Sequence, residues 1–210
     1  AVLGSGAAAN AADKIVAKGR VLAAHLLEAG AGDIEFSGGH FRVAGTDRAV
    51  SLPEIARAAY NPAKLPAGFE PGLSDVATFS PNIPTFPNGC HVCEVELDPA
   101  TGHTDILKYS VVDDVGVVIN KLTLEGQIHG GIGQAVGQAL SEVMVYDATG
   151  QLVTGSFMDY AMPRAGDMGR IDCANNPVPT KVNPLGVKGA GEAGNVGGLG
   201  AIMNAVVDAL

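Results

Sequence analysis

The sequence predicts an α+β fold, and three observations carry that reading. Apolar residues recur at helical spacing over Asn10–Glu28 and again from Asn120 or Thr123 to about Val143. Two strand-like runs, Cys90–Leu97 and His103–Val112, flank the turn Asp98-Pro99-Ala100-Thr101-Gly102 and read as an antiparallel hairpin. The pattern Gly189-x-Gly191-x-x-Gly194 has Pro184 where a strand is needed and no βαβ unit around it, which argues against a dinucleotide fold. A phosphate-binding P-loop fails there too, because Lys188 lies inside the glycines and no Ser or Thr follows it.

Taken in order, residues 1–60 read as a helix, a short hairpin and a helix. In the first helix Ile15, Val16, Leu22, Leu26 and Leu27 share a stripe, with Gly30 as a C-terminal stop. Ile34–Phe36 and Phe41–Val43 are strands joined at Gly38-Gly39. Ser51-Leu52-Pro53-Glu54 is a capping-box pattern opening a helix to about Tyr60. Residues 61–87 carry six prolines and no period, so they read as an ordered connection running over another part of the molecule. Residues 88–210 form a C-terminal region. There Asp113-Asp114-Val115-Gly116 breaks the second strand, a turn spans Asp147–Gly150, an irregular stretch follows Arg164, and Ala201–Leu210 is helix-like.

Composition excludes several classes. The chain has 210 residues and a formal net charge of −9, so the basic footprint of a nucleic-acid binder is missing. No apolar run approaches the roughly 18 residues of a membrane span, and no signal peptide is visible. Three cysteines suit a reducing, cytoplasmic compartment better than a disulfide framework. Cys90-His91-Val92-Cys93 is a lone CxxC inside a strand-like run, which reads as sheet residues before zinc ligands. The pair Asp113-Asp114 lacks the spaced oxygens of a calcium loop. A start without Met and a last helix without a cap suggest a piece of a larger polypeptide.

Two stretches carry chemistry. Asn183–Gly194 holds four glycines, Lys188 and one carboxylate, Glu192, ahead of the last helix. A carboxylate on a glycine-rich turn suits acid–base work, or it is a charge favoured by the helix dipole. On the helix after Asn120, about 100° per residue puts Ile128, Ile132, Ala135 and Val136 on one side. Gln127, Gly131, Gln134 and Gln138 fall on another. Helical glycine costs up to about 1 kcal/mol relative to Ala, so the many glycines here imply close approach by something polar or tight helix–helix packing. Gln127 is the preferred ligand contact, near the helix N-terminus where anions bind.

These stretches come in a recognisable order: Phe86–Gly102 (FPNGCHVCEVELDPATG), Asp113–Asn120 (DDVGVVIN), Glu125–Leu140, Met158–Arg164 (MDYAMPR) and Asn183–Gly194 (NPLGVKGAGEAG). Together they resemble the C-terminal part of the molybdenum-binding subunit of the xanthine oxidase family, which includes carbon monoxide dehydrogenase and aldehyde oxidoreductases. The resemblance implies a molybdenum hydroxylase acting on an aldehyde, an N-heterocycle or carbon monoxide, with water as oxygen source. It places the family's base beside molybdenum on Glu192 and a pterin-holding glutamine on Gln127. Lys188, Gly189 and Gly191 would line the cofactor, expected as molybdopterin cytosine dinucleotide, with no direct protein ligand to the metal. Implied partners are the remainder of the molybdenum subunit, FAD-binding and iron–sulfur subunits or domains, and a small-molecule substrate. Ala135 departs from the glycine expected after Gln134. The family's upstream molybdenum-site loops are not in these residues, so the chain is expected to form part of an active site and not to turn over alone. The rival reading is a non-catalytic cofactor-binding or assembly domain on the same scaffold, and Glu192 separates the two, since a scaffold needs no carboxylate there.

Overall fold

The computed structural model describes residues 2–210, which divide into two compact units, residues 3–81 and 82–210. Among the described residues no helix is long and apolar enough to cross a membrane.

The first unit is built on α1 (Val2–Leu26), which starts eight residues before the helix read from periodicity. Its buried Leu22, Ala23 and Ala24 pack with Ile34 and Phe41 of a small antiparallel sheet and with Ile55 of α2 (Leu52–Ala59). The sheet contains β1 (Ile34–Ser37), β2 (His40–Val43) and β3 (Ala49–Ser51), the last too short to be read from sequence. Gly38 and Gly39 both take positive φ at the β1–β2 turn, the backbone a two-residue hairpin needs. Ser51 and Glu54 form the expected capping box at the start of α2. Up to Pro81 the proline-rich stretch runs over this core. Leu65, Phe69 and Leu73 pack on this core, and Lys14 reaches the Val76 carbonyl at 2.7 Å and the Asp75 carboxylate at 3.4 Å.

In the second unit β4 (Asn88–Leu97) and β5 (Thr104–Asp114) form the long hairpin. The Asp98 carboxylate closes its turn by accepting from the Ala100 N–H and the Thr101 hydroxyl. A third strand, β6 (Arg170–Asn175), pairs parallel to β5 inside the stretch read as irregular. Its six residues lack a clean alternation, and only the tertiary pairing reveals it. β5 also runs on through Asp113 and Asp114, where a break was expected. Both side chains are buried, and the chain turns at Gly116, which has φ +66°.

Two helices cover one face of this sheet. α3 (Lys121–Val136) is capped by Asn120, whose Oδ1 accepts from the Thr123 N–H, and it continues as a π-helical turn over Gly137–Ser141. α4 (Ala193–Ala209) begins at the glycine-rich loop, eight residues before the helix-like run read at the end of the chain. Ile128, Ile132, Ala135 and Val136 lie in the core with Tyr109, Val111 and Ile202. Gln127, Gln134 and Gln138 are exposed. Gly131 is buried against α4, which is the tight helix–helix packing offered as one reason for the helical glycines.

That contact has a testable cost. A Cβ at Gly131 would stand 2.7 Å from the Asn195 backbone nitrogen and 3.0 Å from Gly194 Cα, atoms that cannot step aside. Gly131→Ala is expected to destabilise by about 1–3 kcal/mol in urea unfolding, as overpacking does. Gly130→Ala, where a Cβ would meet nothing within 4 Å, is expected to stabilise by up to about 1 kcal/mol. Equal effects at the two sites would contradict close helix–helix packing as the reason for glycine.

Candidate functional site

The glycine-rich loop is fastened to the end of β5 before it reaches Glu192. Asp114 Oδ1 accepts from the Gly116 and Val178 N–H groups, both at 2.9 Å, and Oδ2 accepts from Lys188 Nζ at 2.5 Å. The backbone repeats the connection, with Val117 N–H donating to the Gly186 carbonyl at 3.0 Å and Lys188 N–H to the Val115 carbonyl at 2.9 Å. Gly186, with φ +68°, makes the bend that aligns these groups. Buried Asn183 closes the turn, donating to the Val187 carbonyl and accepting from its N–H.

Beyond this anchor the loop forms one wall of a cleft of about 760 Å³, within the range of small-molecule sites. Gly189, Gly191, Glu192 and Ala193 line one side, and Phe86, Gly89, His91 and Asp113 another. Glu192 occupies the N-cap position of α4, is exposed, and its carboxylate has no hydrogen-bond or ion-pair partner among the described residues. None of the described residues occupies its lone pairs, so they are open to a group in the cleft.

The cleft unites three of the five site residues read from sequence: Gly189, Gly191 and Glu192. Lys188 is set back from it, its side chain only 12% exposed and its ammonium held by Asp114. Gln127 is exposed but is not part of the cleft wall, and it stands seven residues past the Asn120 cap. The helix-end field fades within the first turn, so the anion-binding argument for Gln127 does not hold. Cys90 and Cys93, three apart on β4, point to opposite faces, and burial pushes the Cys93 thiol up to about 11.

Sequence reasoning missed the cleft floor. His91 is 7% exposed at its side chain, with Nδ1 2.8 Å from the Tyr109 hydroxyl and Nε2 3.4 Å from Asp113 Oδ1. Burial raises the Tyr109 phenol well above its ordinary range, so it keeps its proton. Register could have found this group: Gly89 pairs with Asp113 and His91 with Val111, which sets His91, Tyr109 and Asp113 on one face.

The cleft fits a bulky group rich in hydrogen-bond donors. Neither Gly189 nor Gly191 has positive φ, and a Cβ on either would meet nothing within 4 Å. The chain itself does not demand glycine there, and their bareness leaves open space in front of the loop. Asp113 Oδ2 is buried without a donor among the described residues.

The Asp114 anchor predicts an acid dependence. The Lys188 ammonium first, then the backbone N–H groups, hold the Asp114 carboxyl down from 3.8 to about 2. Because the folded value is the lower one, this stabilisation is present above 3.8 and is lost as pH falls through about 2. Asp114→Asn is expected to remove roughly 1.5–3 kcal/mol at neutral pH, as for a hydrogen bond to a charged group. It should also flatten the loss of stability across that acid window in pH-dependent unfolding. An unchanged acid limb would show that the pair is not a stabilising contact.

Comparison with known proteins places this architecture. A family model described as the molybdopterin cofactor-binding domain matches residues 1–169. Over its whole length the chain is 43% identical to the 6-hydroxypseudooxynicotine dehydrogenase complex subunit gamma of Paenarthrobacter nicotinovorans, of which it covers 26%. Over 97% of its length it is 38% identical to the carbon monoxide dehydrogenase large chain of Hydrogenophaga pseudoflava, covering 25% of that protein. The solved structure of the reconstituted CO dehydrogenase from Oligotropha carboxidovorans matches 98% of this chain and 25% of its own, with a TM-score of 0.92 at 37% identity. The chain spans about a quarter of the length of these relatives. The Glu192 loop lies past the family match but within the stretch shared with them. With that match over most of its length and relatives aligned from end to end, the chain belongs to the molybdopterin cofactor-binding domain family and is homologous to the molybdenum-binding subunits of the xanthine oxidase family.

Proposed function

We propose that this chain supplies the general base and one wall of the cofactor cleft in a molybdenum hydroxylase, with Glu192 as the base. The observation that carries the reading is the unpaired Glu192 carboxylate, exposed on the cleft wall between bare glycines and the start of α4. When bound, the molybdenum cofactor supplies the oxidising centre that takes electrons from the substrate. Glu192 takes the proton of the attacking water-derived oxygen at its carboxylate. The open space before Gly189 and Gly191 lets the cofactor approach the loop backbone, and Lys188 contributes through its main chain while its charge steadies the loop. Gln127 contributes from the exposed side of α3, where Gly126 and Gly130 leave open space beside it.

The finer assignments are proposals of the same kind. The cofactor is molybdopterin cytosine dinucleotide, and the substrate is an aldehyde, an N-heterocycle or carbon monoxide. The rest of the molybdenum subunit and FAD-binding and iron–sulfur partners complete a cytoplasmic enzyme. The rival, a non-catalytic cofactor-binding or assembly domain, leaves the free Glu192 carboxylate without a purpose.

Glu192→Gln in the complete enzyme decides between them. Gln keeps the size and can hydrogen-bond but cannot take the proton. At saturating substrate kcat is expected to fall about 10²–10⁴-fold, the usual loss for a positioned base. Molybdenum content should stay at the wild-type level. Full metal occupancy with near-normal kcat would make Glu192 a structural charge and remove the proposed mechanism.

A further inference from the structure

The floor of the cleft holds an acceptor that none of the described residues satisfies. Asp113 is 2% exposed, and its Oδ2 is buried with no donor among the described residues. Burying a carboxylate oxygen in that state is costly, so such a group marks a place where a donor arrives from elsewhere. The surroundings are built to keep it there. Gly89, its cross-strand partner, has no side chain, and a Cβ there would collide with Asp113 Oδ1. Gly197 of α4 likewise makes room for the His91 imidazole, which a Cβ would meet at 2.5 Å. Asn175 stands in register with Asp113 on β6, and its Oδ1 is also buried without a donor.

The hydrogen-bond chain fixes which atom is available. Tyr109 is fully buried and keeps its proton, and its one hydrogen-bond partner among the described residues is His91 Nδ1. The phenol therefore donates to Nδ1, which leaves the imidazole proton on Nε2, facing Asp113 Oδ1. Oδ1 lies 3.4 Å from Nε2, and Oδ2 has no donor among the described residues. Phe86 lines the same cleft and is largely exposed, an aromatic surface for a flat ring.

Resting on the cofactor-cleft reading above, we propose that Asp113, positioned by His91 and Tyr109, binds an N–H-bearing nitrogen heterocycle in this cleft, and that the heterocycle is the pterin ring of the cofactor. Pterins carry amino and ring N–H donors, which match an unpaired carboxylate oxygen. A substrate heterocycle shares that chemistry, and the test separates the two sources.

The test uses Asp113→Asn in the complete enzyme. The Nε2–H of His91 draws the amide oxygen toward itself, which turns the amide NH₂ to the Oδ2 position and sets donor against donor. Molybdenum is measured by metal analysis and pterin by the fluorescence of its oxidised form, with a melting curve as the check on folding. The loss of one charged hydrogen bond corresponds to about 10–100-fold weaker binding. Pterin and molybdenum are therefore expected to be largely lost on dialysis that leaves the wild type loaded. Phe86→Ala, at an exposed position that does not endanger the fold, should weaken retention about 2–10-fold and decides the matter if Asp113→Asn does not fold. Wild-type retention in the folded variants overturns the assignment. Wild-type retention with a raised KM for hypoxanthine assigns the donor to substrate and overturns the pterin choice. These readouts are independent of kcat in Glu192→Gln, so failure here leaves the base assignment standing.

Discussion

The carboxylate of Asp114 is the contact on which the site depends. It ends β5, accepts two backbone N–H groups from different segments, and holds the ammonium of Lys188. A buried carboxylate with that many donors remains charged, and a charged group so placed fixes the three segments that meet at it. Four residues after Lys188 the same loop presents Glu192, and one residue later α4 begins. Glu192 is thus carried on a short arm between a salt bridge and a helix, although most of its neighbours are glycine. Rigidity in this loop comes from what its ends are tied to and not from its own side chains.

The glycines serve two opposite purposes. Gly131 and Gly194 let two helix backbones touch, and Gly89 and Gly197 let Asp113 and His91 fit beneath them. At Gly189 and Gly191 a Cβ would meet nothing within 4 Å, and what they provide is open space. The first group shapes the protein's own packing, and the second leaves the cleft open in front of the loop. A conformational argument from glycine alone would have merged them, because neither Gly189 nor Gly191 needs a positive φ.

Much of this was legible in the sequence where period and turn chemistry were strong. The hairpin at Asp98–Gly102, the Ser51–Glu54 cap and the buried stripe of Ile128 and Ile132 follow from local rules. β6 was not legible, since a six-residue strand paired in parallel owes its existence to β5. The start of α1 was hidden by a run of Gly and Ala with little periodicity. In the site, Glu192 stood out because it was the one carboxylate among glycines. Asp113 and Asp114 looked like a polar break, yet adjacent strand residues point opposite ways, and each serves a different structure. Asp114 ties the loop, while Asp113 lies under the cleft. Lys188 read as a ligand charge, and only its distance to Asp114 shows where that charge is used.

The central claim is that the Asp114 anchor holds the Glu192 loop in place. Amide hydrogen exchange on the wild-type protein and on Lys188→Met tests it directly. The account predicts that the N–H groups of Val117, Gly186 and Lys188 lose protection in the variant, while those in the middle of β4 and β5 keep it. Unchanged protection at those three amides would mean that the loop stands without the salt bridge, contradicting the account.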